Sequence, residues 1–136
     1  MTKKLSIQSI PADLYENLKE NDCTIPNHCY ANCANVVMNL DLAQEYVLCF
    51  IEEESGDIHG HAVLKVDGKY YDPTLYKTNR IMKNYWAHSE FSKVQLILFI
   101  KNWYGDNLEY NSEGVPEMYP PALMKDGTVQ CLYVAI

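Results

Sequence analysis

The stretch Ile58-His59-Gly60-His61-Ala62-Val63-Leu64-Lys65-Val66-Asp67-Gly68-Lys69-Tyr70-Tyr71-Asp72-Pro73-Thr74 decides the reading of this chain. Ile58 to Val66 reads as a strand, and Lys69 to Asp72 as its return, stopped by Pro73. Asp67-Gly68 between them is a strong hairpin signal, because a two-residue type I′ turn needs positive φ at both central positions. Such a turn pairs Val66 with Lys69, Leu64 with Tyr71 and Val63 with Asp72. His61 stands two residues before Val63 and shares its face. His61 and Asp72 are then diagonal cross-strand neighbours with Cβ atoms about 5–8 Å apart, close enough for an imidazole–carboxylate hydrogen bond. A three-residue loop would send one of them to the other face.

Working outward, Pro11 to Glu20 reads as a short helix, with proline in the first turn, Asp13 near its start and Leu14 and Leu18 at i, i+4. Asn21 to Asn27 reads as a loop. His28 to Leu40 is the main helix, with Asn27 as N-cap. Asn32, Asn35 and Asn39 line one side of it, and Tyr30, Cys33, Ala34, Val37 and Met38 the other. Ala43 to Glu52 reads as a strand, and Glu53 to Asp57 as a charged turn. Arg80 to Phe91 has an ambiguous pattern, read as a helix. Val94 to Ile100 reads as a buried strand. Asn102 to Met124 reads as loop, and Thr128 to Ile136 as a last strand. Helices first and hairpin-linked strands after them predict a single α+β domain over 1–136, with N-terminal helices packed on a mostly antiparallel sheet.

The totals narrow the function classes. A chain of 136 residues fits one domain and buries a core without staples. Its formal charge of −7 repels phosphate backbones, so nucleic acid is not an expected partner. The first ten residues hold two lysines but no apolar run behind them, and no stretch approaches transmembrane length. Five cysteines, an odd count, are not a disulfide framework. The expectation is therefore a cytoplasmic protein with free thiols and no membrane partner.

Cys29 falls in the first turn of the main helix. Unpaired amides and the positive end of the helix dipole favour a thiolate there, and the thiolate is the nucleophile. The same amides can donate to an oxyanion after attack on a carbonyl. A histidine oriented by a carboxylate supplies the base, so Cys29, His61 and Asp72 make a catalytic triad.

The segments Cys-Tyr-Ala-Asn-Cys-Ala at 29–34, Gly-His-Ala-Val at 60–63 and Tyr-Asp-Pro-Thr at 71–74 resemble the transglutaminase-like branch of the papain-like cysteine enzymes. The resemblance spans residues 27 to 75. It implies a papain-like or transglutaminase-like core, with Cys29 as nucleophile, His61 as base and acid, and Asp72 as orienter. The activity implied is thiol-dependent acyl transfer on an amide or ester, as a hydrolase, protease, deamidase or amine transferase, with a peptide or protein amide as the expected substrate and no cofactor. Papain-like enzymes often place an amide side chain shortly before the cysteine as a second oxyanion donor. Asn27, Asn21 and Gln8 are the candidates. Val63 stands where the family usually carries an aromatic residue, and the hairpin is shorter than in many members, so no substrate class transfers.

Two other readings compete. Cys23, His28, Cys29 and Cys33, with His59 and His61 nearby in sequence, carry zinc-ligand chemistry. Their Cys-x5-Cys-x3-Cys spacing is not that of a zinc knuckle, although Cys29 and Cys33 share a helix face. A catalytically degenerate binding module that keeps only the fold is the other. A redox pair of Cys29 and Cys33 lacks the thioredoxin spacing. Trp86, Trp103 and the tyrosines are read as core residues, or alternatively as the walls of a cleft.

Overall fold

The Asp67-Gly68 turn sets the hairpin in the register its chemistry dictates. In the computed structural model, which describes residues 3–134, both turn residues have positive φ, 50° and 79°. Leu64 pairs with Tyr71, Lys65 with Tyr70 and Val66 with Lys69.

Around this hairpin the chain builds an α+β fold. β1 (Lys3–Leu5) is followed by α1 (Ala12–Glu20) and α2 (Cys29–Asn35), which runs on through a π-helical turn, Val36–Leu40. Then come β2 (Glu45–Glu53), β3 (Ile58–Val66), β4 (Lys69–Tyr71), β5 (Met82–Ser92) and α3 (Lys93–Tyr104). A short 3₁₀ turn, Gly105–Asn107, leads toward β6 (Pro121–Leu123) and β7 (Val129–Cys131). The first five strands form one antiparallel sheet in the order β1-β5-β2-β3-β4. β6 and β7 form a separate two-stranded ribbon.

The five-stranded sheet curls until its edges meet. Ile7, just past β1, bridges Tyr70 of β4, and the Gln8 amide donates to the Tyr70 carbonyl at 2.9 Å. Strand parity then divides the apolar residues into two cores. Val47, Cys49 and Ile51 of β2 and Val63 of β3 point into the curl with Leu5, Tyr70 and Leu75. Tyr46, Leu48, Ala62 and Leu64 point outward, where they pack against Cys33, Val36 and Val37 of the helical run, Leu96 and Ile100 of α3, and Ala122 and Leu123 of β6.

Two expected elements exchange type. The segment 80–91, read as a helix, supplies β5, which is hydrogen-bonded on both sides. Its neighbour 94–100, read as a strand, is the middle of α3. A continuous apolar run does not announce its period. The decisive signal is polar: the Ser92 hydroxyl accepts from the Gln95 amide at 3.2 Å, and the Gln95 side chain accepts from the Ser92 amide at 2.9 Å. This capping box starts a helix at Lys93. Leu96 and Ile100, four apart, become its buried stripe. β1 and β6 form where no strand was expected. The last strand is shorter than expected, Val129–Cys131, and the expected end at 135–136 lies outside the described residues.

Among the described residues no helix is long and apolar enough to cross a membrane.

Candidate active site

Cys29 is the first residue of α2, behind a turn in which Asn27 has φ 64°. His28, not Asn27, holds the N-cap position, and no side chain caps the helix. The first-turn amides are therefore not capped by a side chain. Cys29 itself is 1% exposed.

His61 lies on β3 with its side chain on the inner face of the curl, opposite Cys49 of β2. Asp72 follows the end of β4. Their predicted meeting is realised: His61 Nε2 lies 2.9 Å from Asp72 Oδ2, with both residues buried. The carboxylate is fully occupied. Oδ2 also accepts from the Tyr85 hydroxyl at 2.7 Å. Oδ1 accepts from the amides of Thr74 at 3.2 Å and Leu75 at 3.1 Å. Those two bonds are the local work of the Asp-Pro-Thr sequence, in which aspartate closes a turn onto its own downstream backbone.

Burial opposes charge on both partners, and their mutual attraction overcomes it. For His61, burial pulls the imidazole down, but the Asp72 carboxylate and the nearby Cys29 sulfur push it up to about 10. For Asp72, burial pushes the carboxyl up, but the imidazolium and the Tyr85 and Leu75 donors hold it below its ordinary value. The pair is an imidazolium–carboxylate at neutral pH. With Nε2 engaged, Nδ1 is the other ring nitrogen. Among the described residues it is the one buried side-chain nitrogen or oxygen atom without a hydrogen-bond partner.

All five thiols are free and buried. Burial raises Cys23, Cys33 and Cys49 above the ordinary thiol range, and Cys131 to about 12. These four are poor nucleophiles at neutral pH.

The oxyanion candidates have other roles or none. Asn21 folds its amide back onto α1, donating to the Asn17 carbonyl at 2.8 Å and to its side chain at 2.9 Å. Asn27 is an exposed turn residue. Gln8 is exposed and donates to the Ser6 hydroxyl at 3.3 Å.

Asn32 and Tyr85 were not singled out for the site. Asn32, expected on the polar face of the helix, is 2% exposed. Its amide donates to the Ile25 carbonyl and the Thr74 hydroxyl, each at 2.9 Å, and its oxygen accepts from the Ile25 amide at 3.3 Å. It ties the cysteine helix both to the loop before it and to the Asp-Pro-Thr turn. Its signal in the sequence was its place one turn after Cys29. Tyr85 had no usable signal, because its segment was read as a helix.

The zinc alternative finds no support in the positions of its residues. Cys23 accepts from the Asn35 amide at 3.2 Å, and His28 Nδ1 lies 2.8 Å from the Pro26 carbonyl. His59 pairs with Glu53 at 3.3 Å. Among the described residues no three His, Cys, Asp or Glu side chains gather as a metal site.

An apolar cavity of about 220 Å³ flanks the start of α2, lined by His28, Tyr30, Ala31, Tyr119, Pro120 and the 132–134 segment. On the far side of the pair, a groove of about 280 Å³ is lined by Asp72, Tyr85, Leu75, Lys77 and Arg80, among others. Trp103 is 47% exposed and stacks on Phe99, with ring centroids 6.4 Å apart.

No protein-family model matches this sequence, and neither the curated proteins nor the solved structures include a significant match to it.

Proposed function

We propose that the chain is a thiol-dependent acyl-transfer enzyme of papain-like or transglutaminase-like type, acting on a peptide or protein amide. One observation carries the reading: a buried His61–Asp72 ion pair whose free ring nitrogen, Nδ1, has no hydrogen-bond partner, beside a cysteine at a helix start. In this reading the proton of the Cys29 thiol is the one already held on Nδ1 of the imidazolium, and the sulfur attacks the amide carbonyl as the thiolate. The oxyanion is met by first-turn amides of α2. The imidazolium protonates the leaving amine, and a thioester is left on Cys29. Water, activated by the imidazole, releases the acid, or an amine takes the acyl group. Asp72 keeps Nε2 protonated and fixes the ring.

The test is limiting alkylation with iodoacetamide from about pH 5 to about pH 9, followed by peptide mapping. The expected result is that Cys29 labels ahead of the other four thiols and that His61→Ala slows this at least tenfold. Equal labelling of all five, or no effect of His61→Ala, sinks the proposal.

A second reading has its own observation. Cys29, His61 and Asp72 are 1%, 2% and 3% exposed, so the triad is closed. A degenerate module would keep these residues as polar core and bind a partner elsewhere. For that module, Cys29→Ser leaves partner binding intact and no thiol is selectively reactive.

A further inference from the structure

We infer that Tyr85 is a positioning residue of this site, holding the Asp72 carboxylate in the orientation that His61 requires; the inference rests on the acyl-transfer reading above. Three observations on different elements support it. The Tyr85 hydroxyl donates to Oδ2, the same oxygen that meets His61 Nε2, while Oδ1 is held by the Thr74 and Leu75 amides. With both oxygens fixed from opposite sides, the carboxylate plane cannot rotate away from the imidazole. The Tyr85 ring also lies 6.3 Å from the His61 ring, centroid to centroid, and lines the groove that reaches Asp72. Tyr85 and Asp72 thus line the same groove, and without the hydroxyl water there would compete for Oδ2. Finally, β5 is fixed by pairing on both sides, with Tyr85 opposite Leu5 of β1 and Ile51 of β2. The hydroxyl is delivered by a sheet position rather than by a mobile loop.

The hydroxyl stays a neutral donor. Burial, and then the Asp72 charge, raise Tyr85 far above the ordinary phenol range. The ionisable groups facing the Tyr85–Asp72 contact are His61 from β3, Cys49 from β2, Cys33 from α2 and Arg80 from the segment before β5, with Cys29 beyond His61. Because Tyr85 donates to the charged carboxylate, its loss lets Asp72 protonate at a higher pH.

The experiment compares Tyr85→Phe with Tyr70→Phe in the full chain. Tyr70 also donates to a carboxylate, Glu90 at 3.0 Å, on the inner face of the same sheet, so its variant controls for loss of a tyrosine–carboxylate bond. Two quantities are read: the pH profile of Cys29 alkylation, and the NMR titration of the His61 ring, which needs no activity. Tyr85→Phe is expected to lower Cys29 alkylation about tenfold at neutral pH, the effect of losing a hydrogen bond to a charged group. It should also move the acid limb to higher pH and shift the His61 titration, while Tyr70→Phe does neither. An unchanged His61 titration and profile in Tyr85→Phe, or equal shifts in both variants, overturns the inference. Unselective labelling of the unsubstituted chain instead defeats the acyl-transfer reading, and the His61 titration still reports whether Tyr85 orients the pair.

Discussion

Asp72 meets four donors, and they come from three kinds of information. Two are its own downstream amides, fixed by the local turn. One is His61, fixed by hairpin register. The last is Tyr85, fixed by the pairing of β5 (Met82–Ser92) across the sheet. The ion pair makes stability depend on pH, and the sign follows from the two shifts. His61 is raised to about 10, so its contribution is complete below its unfolded value of about 6.5 and is lost as pH rises toward 10. Asp72 is lowered, so its contribution is complete above about pH 4 and is lost as pH falls through its depressed folded value. The pair therefore stabilises most between about pH 4 and about pH 6.5. Breaking it with His61→Gln should cost about 3–5 kcal/mol in that window, as removal of one partner of a buried pair does. Urea titrations at several pH values should show the gap between the two proteins closing as pH rises toward 10. A gap independent of pH would mean that the imidazole is not charged in the folded state.

At the scale of elements, Gly60 on β3 (Ile58–Val66) explains how β6 (Pro121–Leu123) reaches the sheet. A Cβ at Gly60 would lie 2.0 Å from the Leu123 carbonyl oxygen and 2.8 Å from the Tyr30 hydroxyl. The strand must therefore be bare where β6 crosses it. The same tyrosine clamps β6 from α2 (Cys29–Asn35): the Leu123 amide donates to the Tyr30 hydroxyl at 3.3 Å, and that hydroxyl donates to the Leu123 carbonyl at 3.4 Å. The obstacle is backbone and cannot rotate aside. Gly60→Ala should thus destabilise by about 1–3 kcal/mol, the usual range for overpacking, read as a lower urea midpoint. A midpoint equal to that of the unsubstituted protein would show that β6 does not rest on β3. Because Gly60 directly precedes His61, the clamp also bears on the site.

For the whole molecule, closure of the sheet decides what is inside. Leu5 and the Ile7–Tyr70 bridge join the first strand to the hairpin, and Cys49 at 0% exposure lies within the curl. Removing the chain through Gln8 leaves β5 without its outer partner and opens the inner core. Loss of the buried Leu5 alone should cost about 2–5 kcal/mol. Iodoacetamide should then label Cys49, which the full chain protects. Continued protection of Cys49 would show that the inner core holds without the first strand.

The sequence by itself determined the elements whose cause is local. The Asp67-Gly68 turn demanded positive φ and so set the register that faces His61 toward Asp72. The asparagine and apolar spacing marked the helix that begins at Cys29. Parity and turn chemistry act within a few residues, so they are legible without the fold. The Ser92–Gln95 capping box that starts the helix at Lys93 is equally local and stands in the sequence. Only the tertiary structure decided the rest. The strand at 80–91 came only from its place beside β2 (Glu45–Glu53). Tyr85 reached Asp72 only because β5 occupies that place. Asn32 became a core residue only because Ile25 and Thr74 meet its hydrogen-bonding atoms. Long-range partners of this kind satisfy a buried polar group from outside its own segment, and segment-level patterns carry no record of them.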